Sequence, residues 1–152
     1  MNVQMELLTR LKQRKYKTGS VSIFVDLSPR LGVKCFRSKF VRNVAFRRQT
    51  RAFKAGIAPS CRMPFLFKQG NVRLYCYLTQ KAQIDVDGDY TKHADFLKKE
   101  LRKLNYHVVA DDICIWNIGY INKRPVCIDF TVPYLKDIHS GNTNPEMCLQ
   151  GL

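Results

Sequence analysis

Asp112, Asn117 and Asp129 bring two carboxylates and a carboxamide close together in the chain, side chains that can move a proton or hold a hard cation. Asp112-Ile-Cys-Ile-Trp-Asn117 is a D-x-x-x-x-N run, and Asp129-Phe130 closes the apolar stretch Val126-Cys-Ile that follows it. An aspartate can accept or orient a hydroxyl proton, and a carboxamide with a second carboxylate offers the hard oxygen donors that suit Mg²⁺. The competing interpretation makes Asp112 and Asn117 turn residues and Asp129 a strand-end acid. Two other clusters carry less. Asp85-Val-Asp-Gly-Asp89 opens like a calcium loop, but Tyr90 stands where that loop needs glycine and Phe96 where it needs glutamate, so the segment reads as a turn and helix cap. His93, His107 and His139 have no metal-ligand spacing to one another or to a cysteine.

These side chains must be placed by an alternation of helices and hairpins. Val3, Leu7, Leu8 and Leu11 on a basic background predict a short amphipathic helix over 3–17 that frays into residues 15–17 and is broken by Gly19. Residues 20–27 alternate as a strand, 28–32 form a turn and 33–36 a second strand. A helix over 38–55 puts Val41, Ala45, Gln49 and Ala52 on one face and stops at Gly56. Strands at 63–68 and 72–79 flank Gly70. Asp89 caps a helix running to about Asn105, and 115–121 pairs with 126–130 around Asn122-Lys-Arg-Pro125. The last twenty residues read as loop and tail. The expected class is α+β, in one domain spanning 1–152.

With these elements in order, the chain from about 19 to 131 resembles the protein-kinase-like superfamily, especially the very short kinase-like proteins of bacterial viruses. The D-x-x-x-x-N run resembles the catalytic loop, and Asp129-Phe130 the metal-binding aspartate after the next hairpin. Gly32-Val-Lys34-Cys-Phe36 looks like the lysine-bearing third strand of the small lobe, and Leu74–Lys81 like the strand entering the interlobe hinge. The resemblance implies a minimal kinase-like fold: a basic N-terminal helix (1–18), an antiparallel small-lobe sheet (about 19–80), a truncated helical large lobe (about 81–137) and a tail (138–152). It implies ATP and Mg²⁺ as cofactors, with Asp112 as the catalytic carboxylate and Lys34 on the phosphates. Gly19 and Ser20 lie at the nucleotide loop, and Asn117 and Asp129 on the metal. The helix over 38–55 carries no glutamate for Lys34, and Gln49 is the residue placed to substitute. Thr131 follows Asp129-Phe130 where the family has glycine, and a single Gly19 replaces a glycine-rich loop. The implied function is a nucleotide-binding kinase-like protein, weakly phosphotransferring or catalytically degenerate, acting on host machinery.

Charge points to a second class of function. The formal net charge is +14, and residues 1–76 hold 17 basic side chains against two acids, whereas 77–152 are near balance. Such a field attracts polyanions and weakens with salt. Arg37, Lys39, Arg42, Arg47, Arg48, Arg51 and Lys54 fall on or beside one helix, with Phe36, Phe40 and Phe46 interleaved, a composition compatible with phosphate contact and base stacking. The alternative to a kinase-like protein is therefore a non-enzymatic basic protein that binds nucleic acid or an acidic host protein. The longest uncharged apolar run, 113–122, is far short of the roughly 18 residues of a membrane helix. Residues 1–11 have no signal-peptide core. The six cysteines form no C-x-x-C pair. They are expected as structural thiols of a cytoplasmic protein, in the host cytoplasm if the source is viral.

Overall fold

The computed structural model describes residues 1–19, 21–84, 89–131 and 145–152. In chain order the elements are α1 (Val3–Lys12), β1 (Lys17–Thr18), β2 (Ser22–Asp26), β3 (Leu31–Phe36), α2 (Lys39–Lys54), β4 (Cys61–Gln69), β5 (Val72–Gln80), α3 (Tyr90–Lys103), α4 (His107–Asp111), β6 (Ile118–Ile121) and β7 (Arg124–Cys127). Two 3-10 segments, Ile115–Asn117 and Pro145–Gly151, complete them. Strands β1 to β5 form one antiparallel sheet in the order β1-β2-β3-β5-β4, and β6 and β7 form a separate hairpin. The architecture is α+β, as expected.

Alternation along the strands splits the sheet into two chemically different faces. Ile23, Val25, Val33, Cys35, Leu74, Cys76 and Leu78 pack beneath Leu7 and Leu11 of α1, with Cys148, Leu149 and Leu152 against the same core. The other face carries Phe36 and Tyr77, which meet Val41 and Ala45 of α2, and it also carries Lys34. The opposite side of α2 supplies Val44 and Ala52 to a second core made with α3, α4, β6 and β7. Helix α2 thus joins the sheet to the C-terminal half.

Local chemistry fixes the element ends. Ser38 caps α2 by accepting from the Val41 amide at 3.2 Å. The helix closes with paired bonds, Ile57 N to Ala52 O at 3.0 Å and Gly56 N to Phe53 O at 2.9 Å, with Gly56 at φ +80°. Asp89 caps α3 as expected, at 3.2 Å from Lys92 N. Asn105, at φ +63°, ends that helix in the same way as Gly56 ends α2. Asn122 and Lys123 both have positive φ, which makes the β6–β7 connection a two-residue turn shorter than the four-residue one read from the sequence.

Three expectations are corrected. The N-terminal helix ends at Lys12 instead of running to 17: Arg14 turns left-handed at φ +56°, Lys15 N donates back to Arg10 O, and Lys17–Thr18 is released to pair with the edge of β2. The tail over 138–152 is not all tail, because Pro145–Gly151 forms a 3-10 segment and seats Cys148 and Leu149 on the sheet core. Residues 115–117 are a 3-10 turn and not the start of a strand, and residues before them, 107–111, form a short helix. Residues 132–144, and the Asp85–Gly88 part of the calcium-like segment, lie outside the described residues.

Candidate functional site

Lys34 occupies the center of the sheet, opposite Phe24 on β2 and Tyr77 on β5. Its side chain leaves the sheet toward the C-terminal half, where Nζ donates to the Ile128 carbonyl. Ile128 N in turn donates to Asn117 O at 2.9 Å, so the strand end at Asp129 lies beside the loop that carries Asn117. Asn117 Nδ2 donates to the Asp112 carbonyl at 2.6 Å and lies 3.4 Å from Asp112 Oδ2. Lys34, Asp129, Asn117 and Asp112, separated by up to 95 positions in sequence, are thereby linked through backbone and side-chain hydrogen bonds.

A cleft of about 360 Å³ opens between the sheet and the β6–β7 hairpin. Lys34 and Phe24 from the sheet line it together with Ile128 and Asp129, and so do the exposed Trp116 and Ile84. The segment 80–84 crosses from one half to the other and is pinned by Gln83 and Tyr120, which exchange two hydrogen bonds of 2.8 Å. Gly119 permits this approach: a Cβ there would come within 2.6 Å of Ala82 Cβ. Tyr120 is anchored from the other side by its hydroxyl, 2.9 Å from His93 Nδ1. Gly32 serves a similar purpose on β3, where a Cβ would lie 2.2 Å from Phe24 Cζ, so the Phe24 ring rests on bare backbone.

Burial pulls the Lys34 ammonium below its ordinary value of 10.5, and the neighboring Asp129 carboxylate partly offsets it. Asp129 is oriented by Thr131, whose backbone N and Oγ1 donate to Oδ1 at 2.9 and 2.6 Å. Thr131, which stands where the resembled family has glycine, therefore fixes the carboxylate. Cys127, the buried last residue of β7, has its thiol pushed up to about 12, burial being the main cause.

The donor chemistry fits Mg²⁺. Asn117 commits its amide nitrogen to Asp112 and retains Oδ1, and Asp129 commits Oδ1 to Thr131 and retains Oδ2, both hard oxygens. Among the described residues no three His, Cys, Asp or Glu side chains gather into a metal cage. A pair of protein donors is what Mg²⁺ takes when phosphates supply the remaining ligands.

The other expected residues are placed as follows. Gln49 is corrected: it is buried, its Nε2 donates to Pro59 O at 3.0 Å and Thr79 Oγ1 at 2.8 Å, and its Oε1 accepts from Tyr77 OH at 2.8 Å. These bonds fasten α2 to β5 and leave Lys34 to the Ile128 carbonyl. Gly19 N donates to Ser22 O at 2.8 Å and closes the β1–β2 turn, while Lys17 and Ser22 form the cleft wall there. Ser20 lies outside the described residues. Asp112 and Asn117 do not line the cleft, whereas Trp116 beside Asn117 does.

The basic helix is also divided. Arg42 is buried and donates to the Phe65 and Cys76 carbonyls at 3.3 and 3.1 Å. Arg48 donates to Phe130 O at 3.1 Å, and Arg48 and Arg51 both lie over the Tyr106 ring. Lys39, Arg47 and Lys54 are exposed. Phe36 is buried, Phe46 packs edge-on against Tyr77, and Phe40 is half exposed.

Phe24 and Trp116 were not singled out as site residues by sequence reasoning. The usable signals were a glycine inside a strand pattern at 32 and the sole tryptophan beside Asn117. Among the described residues no helix is long and apolar enough to cross a membrane. No family model, no curated protein and no solved structure matches this chain.

Proposed function

We propose that this chain binds ATP with Mg²⁺ in the cleft between the sheet and the β6–β7 hairpin, as a minimal kinase-like protein with weak or degenerate phosphotransfer that acts on host machinery. One observation carries the reading: Lys34 from the sheet and Asp129, two residues past β7, line a single cleft to which Gln80, Lys81, Ala82 and Ile84 of the 80–84 crossing also contribute. Lys34 contributes positive charge for the α and β phosphates. Asn117 and Asp129 would hold Mg²⁺, which neutralizes phosphate charge when bound. Asp112, tied to the Asn117 amide, orients an acceptor hydroxyl and takes its proton.

The test is a thermal melt with millimolar ATP, with and without Mg²⁺. A ligand that binds only the native state raises the melting temperature by mass action. Asp129→Asn keeps an oxygen for both Thr131 donors, so it should stay folded yet lose the Mg²⁺-dependent shift. Asp112→Ala should spare the shift and lose radiolabel transfer. An unshifted wild type refutes the reading.

The exposed Lys39, Arg47 and Lys54, on a helix whose sequence holds no acid, support a second reading: non-enzymatic binding of nucleic acid or an acidic protein. Replacing Arg47 and Lys54 by glutamine should then flatten the salt dependence of nucleic-acid binding. Arg48 and Arg51 are unsuitable for that test, since they also hold Tyr106.

A further inference from the structure

Trp116 is 82% exposed, more than any other large apolar side chain among the described residues, and it is the sole tryptophan of the chain. An indole left in water at the edge of a cleft is an unusual placement, because tryptophan is among the residues that gain most from burial. Its location is also specific. It stands in the 3-10 turn Ile115–Asn117, whose Asn117 is bonded to Asp112, and it lines the cleft. Exposed Ile84 on the cleft lining and exposed Ile115, the neighbor of Trp116 in the chain, add apolar surface. Lys17, within the strongly basic half of the chain, lines the same cleft, as does Lys81, whose Nζ is paired with Asp26 Oδ1 at 3.1 Å.

We propose that the acceptor taken at this cleft is single-stranded nucleic acid, with a base stacked on Trp116 and its phosphates drawn by the basic half. The proposal rests on the nucleotide-binding reading and names the substrate class for that same site. An exposed aromatic face joined to a positive field is the combination that single strands use, since every base offers a flat face and every linkage a negative charge. An acidic peptide answers the charge with carboxylates and offers nothing flat to a bare indole. Transfer to such a strand joins its terminal hydroxyl oxygen to the γ-phosphorus of ATP and breaks the bond to the β,γ-bridging oxygen. ADP leaves, and the hydroxyl proton passes to Asp112.

Trp116 emission reports the contact directly. Titrating the full chain with a short oligothymidylate bearing a free 5′ hydroxyl should quench that emission, less so as salt rises. Trp116→Leu, followed by anisotropy of a labeled oligonucleotide, should weaken binding at least about fivefold, the lower end of what one stacked base contributes. Trp116→Phe should restore part of it. Both variants should melt at the wild-type temperature without ligand, because the side chain is 82% exposed. Unchanged emission, wild-type affinity in Trp116→Leu, or equal quenching by a polyglutamate peptide overturns the proposal. Absence of the ATP shift in the wild type overturns the nucleotide reading itself, a result separate from the fluorescence.

Discussion

Gln49→Glu separates two views of the cleft. If residue 49 were the partner of Lys34, a carboxylate there would add an ion pair and tighten the nucleotide. The structure assigns the opposite outcome. Gln49 Nε2 donates to Pro59 O and Thr79 Oγ1, and a carboxylate can donate to neither. Only the bond from Tyr77 OH survives. The Pro59 carbonyl would lose its donor and face a negative oxygen, while Thr79 can rotate its hydroxyl to donate. One buried acceptor left unsatisfied costs about 1–3 kcal/mol, and desolvating the new charge adds to it. A total near 3 kcal/mol is a large fraction of the roughly 5–15 kcal/mol that holds a domain together. At about 2–4 °C per kcal/mol for a chain of this size, the melting temperature should fall by about 6–12 °C. The sign with pH follows from burial, which raises the pKa of the new carboxyl above its unfolded value. The folded state then binds the proton more tightly, so the deficit shrinks as pH falls through that raised value. Tyr77→Phe, which removes the one donor to Oε1, should cost less than Gln49→Glu. Melts of the three proteins at pH 8 and pH 5, with and without Mg²⁺ and ATP, decide it. A Gln49→Glu protein as stable as wild type, or one that binds ATP more tightly, would refute the reasoning.

Gly32→Ala should displace the Phe24 ring into the cleft and reduce the ATP-dependent melting shift, because the new methyl would meet that ring at 2.2 Å; an undiminished shift counts against Phe24 as a cleft wall. ATP affinity should fall as pH rises from the lowered pKa of Lys34 toward 10.5, since bound phosphates favor the ammonium and the free protein releases its proton early. Calorimetry in buffers of different ionization enthalpy should show proton uptake on binding in that window, and none in Lys34→Met. Timed alkylation of the native protein at pH 8 should modify Cys61, Cys114 and Cys148 before Cys35, Cys76 and Cys127, which are buried, the last with its thiol pushed up to about 12. Early labeling of Cys127 would contradict its burial at the end of β7.

Periodicity, caps and turn residues are local, and they determined most of the element order. Ser38 and Asp89 are caps in the sequence and caps in the structure because an N-cap bond spans only three residues. The kinase-like resemblance marked Lys34, Asp112, Asn117 and Asp129, of which Lys34 and Asp129 line one cleft and Asn117 is bonded to Asp112. Three-dimensional packing decided what each side chain does. Gln49 lies on the face of α2 that the sequence indicated, but helical phase does not say which strand residue sits across from it; Tyr77 and Thr79 of β5 do. The arginines of α2 look alike in sequence. Arg42 is buried against strand carbonyls, Arg48 and Arg51 hold Tyr106, and Arg47 faces water, because the helix touches a different neighbor at each of those points. The segment 145–151 has too weak a local pattern to announce a helix, and it is ordered by the apolar sheet face that α1 leaves partly open. Gly32 and Gly119 reveal their purpose only against Phe24 and Ala82, since a close approach between distant backbones has no signature in either segment alone.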